Sequence, residues 1–304
     1  MRMKNWWMII PIILCAVACK QNQKESNYVI FSGHIKNASM DSIYVMLNER
    51  EKGFALDFDG NFSDTIQLND EGYKTLAIDR EEFPIYLIPG DSLHLRVDIN
   101  KFDDTFIFHG KGADRNNYLF YKENLVNSWM SNEKLFQLEP EEYRVNLADF
   151  TAELKNQLKL NNIDASFQKI EKKNLYFDEF NLLYAYRDSY AFYNPTKPQL
   201  PVDFINFSVL NLDQEEDFNQ FTSYRSILNY YFDELLNRGS SPTDILSGIK
   251  SEKIKYAFIR SLIDDLDEED ETTSASYFAA IEKFCKYQPW LEEAKAKLAK
   301  NKLK

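Results

Sequence analysis

Cys15 and Cys19 stand four residues apart at the end of the run WWMIIPIILCAVAC, and Cys285 is the third cysteine of the chain. Two thiols at that spacing could form a redox couple, bind a soft metal, or belong to an export signal. A metal site would need a second pair or nearby histidines, and the apolar run supplies neither. Arg2 and Lys4 make a positive start, and Trp6 to Ala18 is apolar but too short to span a bilayer. Ala16, Val17 and Ala18 are the small residues before Cys19, after which the chain turns polar at KQNQKES. That order fits a secretory signal peptide cleaved before Cys19. The expectation is a leader over residues 1–18 that takes Cys15 with it, then a polar tether over 19–27. An ordinary apolar N-terminal helix with incidental cysteines is the competing reading.

A cysteine directly after such a cleavage site resembles the lipobox of bacterial lipoproteins, with Ala16 where leucine is usual. The resemblance implies that Cys19 is the lipidation site, its sulfur carrying a diacylglyceryl group. Cys285 is then the one free thiol of the mature chain, and one thiol cannot form an internal disulfide. Tyr277, Ile281 and Phe284 recur beside it at helical spacing, which turns Cys285 toward a core. A nucleophilic thiol needs an accessible, electropositive setting, and no histidine follows His109 to serve as its base.

The remaining reactive side chains form no constellation. His34 and His94 fall on the polar side of alternating runs and His109 precedes GKG, so all three are expected as dispersed surface residues. DFDGNFSD (Asp57 to Asp64) spaces carboxylates like a calcium loop, but its glycine comes too early for one. An Asp-Gly hairpin turn is the simpler reading. DDLDEEDE (Asp264 to Glu271) reads as a solvated loop between helices. The aromatics of YAYRDSYAFYNP read as core rather than as a cofactor pocket. No Gly-x-Ser-x-Gly, P-loop or dinucleotide fingerprint occurs. No catalytic, cofactor-binding or metal-ligating residue is assigned, and no cofactor is expected.

The elements that must carry these residues differ between the two halves. From Tyr28 to His109 apolar residues alternate, most clearly at SLHLRVDI, with turn signals at Asp59-Gly60, Asp70-Glu71-Gly72 and Pro89-Gly90-Asp91. Beyond Gly112 the period becomes helical. Tyr143, Leu147, Phe150, Leu154 and Leu158 form one stripe behind Pro140, and Tyr224, Ile227, Leu228, Tyr231, Phe232 and Leu235 form another that closes at Gly239. The fold class expected is α+β: an antiparallel β-sandwich or meander over 28–111, then an α-helical domain over 112–304. Hydrophobic residues at 44% and aromatics at 15% are enough for real cores. A net charge of −12 argues against nucleic acid as a partner.

FSGHIKN, LDFDGNF, FPIYLIPGDSLHLRVD and FHGKGADRNNYL follow one another in an order that resembles the N-terminal module of TlpA-like thiol-disulfide reductase envelope lipoproteins. In that family a β-sandwich and a helical region precede a thioredoxin-like domain whose W-C-x-x-C segment does the chemistry. The resemblance covers roughly residues 27 to 125, and the chain stops at about the point where the catalytic domain would begin. It contains no Cys-x-x-Cys, so the family's catalytic pair has no position here. The resulting expectation is a non-catalytic binding lipoprotein, held by lipid to the cell envelope and facing the periplasm from the outer membrane. Its alternative is an accessory subunit of a thiol-disulfide exchange system, with a separately encoded thioredoxin-like partner.

Overall fold

The computed structural model describes residues 27–47, 50–160, 162–201 and 203–301. The leader, Cys15 and Cys19 lie outside the described residues. Eight strands come first: β1 (Tyr28–Lys36), β2 (Ser42–Leu47), β3 (Arg50–Ala55), β4 (Asn61–Gln67), β5 (Gly72–Ile78), β6 (Glu81–Leu87), β7 (Ser92–Asp98) and β8 (Ile107–Lys111). They form two four-stranded sheets of order β4-β1-β7-β8 and β3-β2-β5-β6. Alternation sends Val29, Phe31, Leu93 and Leu95 inward from one sheet and Ile43, Val45, Leu76 and Ile85 inward from the other. Phe31 meets Phe54 and Phe62 edge-on at 5.1 and 5.0 Å between ring centroids.

The two sheets are antiparallel-rich as expected, with one exception, and the reading of DFDG is corrected. The sandwich is not wholly antiparallel, because β1 pairs in parallel with β7 (Phe31 with Leu93, Gly33 with Leu95). DFDG is not a hairpin turn either: β3 and β4 belong to different sheets, so the loop carries the chain across the sandwich. Its Asp57 carboxylate accepts from the Asn61 and Asp59 amides at 2.8 and 3.0 Å, which holds a corner rather than a cation. Gly60 has φ +82°, and a β-carbon there would collide with the Ile35 carbonyl.

The helices are α1 (Phe102–Thr105), α2 (Ala113–Met130), α3 (Glu133–Phe136), α4 (Pro140–Leu160), α5 (Ala165–Tyr193), α6 (Glu215–Gln220), α7 (Thr222–Asn237), α8 (Pro242–Gly248), α9 (Glu252–Asp265), α10 (Glu271–Phe284) and α11 (Gln288–Asn301). The chain is therefore α+β. Side-chain caps start several helices, with Asp164, Ser251 and Asp270 accepting from the first-turn amides of α5, α9 and α10. The α4 stripe buries Tyr143 against Tyr186 of α5, rings stacked at 3.9 Å.

Helix α2 joins the two halves through three consecutive polar residues. The Asn116 amide accepts from the Tyr86 N–H at 2.8 Å and donates to the Tyr86 carbonyl at 3.1 Å. Asn117 does the same to Phe108, at 2.8 and 3.0 Å. Arg115 is buried against Asp91 and donates from Nε to the Tyr86 carbonyl at 3.1 Å. On the outer face of β5 and β6, Tyr73 and Tyr86 pack edge to face and meet Phe167 and Phe221 of the helical half.

Asn116 is fully buried. Asn116→Ala leaves the Tyr86 N–H unpaired, and chemical denaturation is expected to show a loss of about 1–3 kcal/mol. Asn117→Ala, at a partly exposed site, is expected to cost less in the same measurement.

Candidate functional site

A cleft of about 940 Å³ lies between the outer face of the β2-β5-β6 portion of its sheet and helices α2, α5 and α7. Met46, Tyr73 and Thr75 contribute from the strands, Lys122 and Glu123 from α2, Asn174, Asp178 and Asn181 from α5, and Thr222, Ser223, Arg225 and Ser226 from the start of α7.

The base of the cleft is a buried polar cluster. Lys122 Nζ lies 2.6 Å from Glu171 Oε1 and 3.1 Å from Asp178 Oδ2. Tyr73 of β5 donates its hydroxyl to the other Glu171 oxygen. Asn174 Nδ2 stands 3.5 Å from that same oxygen, while its Oδ1 accepts from the Ser223 hydroxyl at 2.5 Å. Asn181 donates to the Ser223 carbonyl at 3.1 Å, and its own Oδ1 is buried without a partner among the described residues. One sheet and three helices are thus tied to a single carboxylate.

Burial sets the electrostatics of the cluster. It pushes the Glu171 carboxyl up, and Lys122 offsets that only in part. For Lys122 burial acts downward, yet the Asp178 and Glu171 carboxylates overcome it and hold the ammonium above its ordinary range. The Tyr73 phenol is raised by burial and then by the charge of Glu171, so it stays a donor. Glu123, at the cleft wall, is raised by burial as well.

Sequence reasoning did not find this cluster. Glu171, Asn174, Asp178 and Asn181 step by three, four and three residues, which makes one polar stripe along α5. Lys172, Lys173 and Glu179 between them give the segment the look of an ordinary solvated face.

The residues that the sequence did single out lie elsewhere. Cys19 is outside the described residues. Cys285 is buried at the end of α10, its Sγ 3.6 Å from the Tyr287 carbonyl, away from the cleft. The histidines are on the surface but not dispersed: all share the outward face of the β4-β1-β7-β8 sheet, and His94 stands directly opposite His109. Tyr186 and Tyr190 are core residues, and Tyr184 stacks on Tyr230 at 3.6 Å. Among the described residues no group of three or more His, Cys, Asp and Glu could hold a metal ion, and no helix is long and apolar enough to cross a membrane.

The acidic run between α9 and α10 is largely exposed to solvent, and several of its carboxylates are engaged. Asp264 pairs with Arg260, Asp267 bridges Lys297 and Lys300 of α11, and Asp270 caps α10. Asn301, at the end of α11, donates to the Glu269 and Leu266 carbonyls at 2.8 and 3.2 Å.

Comparison with family models, with curated proteins and with solved structures finds no match for this chain.

Lys122→Met leaves the buried Glu171 carboxylate without its cation and takes the ammonium from partly exposed Asp178, and the loss expected in denaturant titration is about 3–5 kcal/mol. Adding Glu171→Leu to Lys122→Met is expected to recover part of that loss, since it removes the charge left unpaired. The acidic run supplies a pH test. Arg260 lowers Asp264 and Glu293 through hydrogen bonds, Lys297 and Lys300 lower Asp267, and Thr273 with two amides lowers Asp270. Carboxyls depressed in the native state stabilise it above their unfolded values, and that contribution is lost as the pH falls through the native values. Hydrogen-exchange protection in α10 and α11 is expected to fall as the pH drops below about 4. Asp270→Asn is expected to lessen that sensitivity in α10.

Proposed function

We propose that this chain is a non-catalytic, lipid-anchored envelope lipoprotein that works as a binding module, with the cleft beside α2, α5 and α7 as its recognition site. The observation that carries this reading is how the charges at the base of the cleft are spent. Lys122 is held by two carboxylates and Glu171 by a phenol, an amide and that ammonium. Groups so paired fix a shape, whereas a general acid or base must be able to give or take a proton at the substrate. The lining also includes neutral donors and acceptors, among them Gln220, Thr222 and Ser226. Such groups suit hydrogen bonding to a polar ligand or to an exposed segment of another envelope protein.

Lipid attachment at Cys19 rests on the order of charge, apolar run and small residues before it. The likeness of FPIYLIPGDSLHLRVD and FHGKGADRNNYL to the TlpA-like module keeps a thioredoxin-like protein among the partners considered. In that arrangement the thiol chemistry belongs to the partner, because Cys285 is buried.

In growing cells radiolabelled palmitate is expected to enter the wild-type protein and not Cys19→Ala; equal labelling of both removes the anchor from the proposal. A photoreactive amino acid at Ser226 is expected to give a discrete adduct in the same cells, while one at exposed Phe192 gives none. Adducts of equal yield at both positions, or at neither, remove the cleft. The purified protein is expected to show no reduction of insulin disulfides, and measurable turnover defeats the non-catalytic reading.

A further inference from the structure

We propose that His94 and His109 form a two-imidazole site for a late divalent transition-metal ion, copper above nickel and zinc, on the outward face of the β4-β1-β7-β8 sheet. The two residues are partners in the antiparallel β7–β8 register. The backbone N–H and carbonyl of Phe108 both turn away from β7 toward Asn117 of α2. In an antiparallel ladder the neighbouring residue then turns both of its groups inward, so His109 and His94 exchange backbone hydrogen bonds. Their Cα atoms are therefore about 5.5 Å apart with both side chains on the same face. Imidazoles rooted that closely can each bring a ring nitrogen to the roughly 2.0–2.1 Å that a zinc-sized ion needs.

Ser32 prepares one of the two ligands. It is the β1 partner of His94 in the parallel register, and its Oγ lies 3.1 Å from His94 Nδ1. A partner on that nitrogen fixes the ring and leaves Nε2 as the free ligand, which is how metal-binding histidines are commonly oriented by their outer neighbours. Both imidazoles are exposed, so an ion can reach them without any rearrangement of the sheet. Two protein ligands leave the other positions to water, which makes the site an open one.

The neighbours decide which ions profit. Arg96 and Lys111 stand two residues along from His94 and His109 on the same face and repel every dication alike. Magnesium and calcium, which favour oxygen ligands, gain nothing in return, whereas copper, nickel and zinc gain two imidazole bonds. His34 shares the face but stands opposite Arg96 rather than His94, so it is outside the ligand pair.

The test is calorimetric titration of the untagged full chain, carrying Cys15→Ser and Cys19→Ser so that neither thiol takes up copper, with the chlorides of copper(II), nickel(II), zinc and magnesium. The expected result is one equivalent of copper bound, nickel and zinc more weakly and magnesium not at all. His94→Ala and His109→Ala are each expected to abolish it, Ser32→Ala to weaken it by roughly tenfold, and His34→Ala to leave it unchanged. All four substitutions are at sites facing solvent, and circular dichroism checks that each variant is folded. Absence of binding by that parent chain overturns the site, as does binding that survives His94→Ala or His109→Ala, or that is lost with His34→Ala. The outcome does not depend on the anchor or on the cleft.

Discussion

Two adjacent asparagines on α2 hold the sandwich to everything that follows it. Consecutive residues of an α-helix diverge by about 100°, so Asn116 and Asn117 face different directions from a single turn. One reaches the edge strand β6 and the other the edge strand β8, which belong to opposite sheets. Each amide presents an acceptor and a donor to one residue's N–H and carbonyl, copying the pairing that a further strand would offer. That satisfies buried backbone groups and occupies two edges open to unwanted pairing. Pro84, two residues before Tyr86 and facing the same way, has no N–H and blunts β6 further. The register of α2 is set from below by Gly112, with φ +97°, where a β-carbon would lie 2.7 Å from the Arg115 guanidinium and 3.0 Å from the Asp91 carboxyl carbon.

A helix placed by that clamp delivers Lys122 to a position that only charged partners can satisfy. An ammonium taken out of water costs several kcal/mol unless it is paired well. Glu171 and Asp178, one on each side, supply the pairing, and Tyr73 and Asn174 take up the remaining capacity of Glu171. An apolar cluster of equal volume would bind the same elements at lower electrostatic cost, but it would tolerate sliding. The charges allow one alignment of α5 against α2 and β5, and Ser223 extends that alignment to α7. The cleft therefore keeps its shape because its base is polar.

Much of the fold was legible because it is local. Leu93, Leu95 and Val97 alternate with His94 and Arg96, and the stripe from Tyr143 to Leu158 keeps helical spacing, so strand β7 and helix α4 follow from a few neighbouring residues. What escaped was non-local. Nothing near FSGHIK indicates that β1 will lie parallel to a strand some sixty residues later, as the Phe31–Leu93 pairing requires. DFDG carries the chemistry of a tight turn whether its strands pair or part. Asn116 and Asn117 look like surface residues until the edges they serve are known. The α5 stripe was visible as spacing, yet burial, which turns a polar stripe into a site, is a property of what packs against it.

The two ends of the helical half are held by different means. At the α2–α5 seam the charges are few, with Lys122 and Glu171 buried and Asp178 partly exposed. At the far end α9, α10 and α11 enclose an apolar core of Phe258, Leu262, Ile263, Tyr277 and Ile281, while their ion pairs lie outside it. Arg260 reaches both Asp264 and Glu293, joining α9 to α11 through solvent-exposed carboxylates. Pairs of that kind contribute little each and are weakened by salt, whereas the largely buried Lys122 cluster is screened much less. Salt and acid therefore act on the α9–α11 end of the molecule first, and the elements that form the cleft keep their alignment while the far helices loosen.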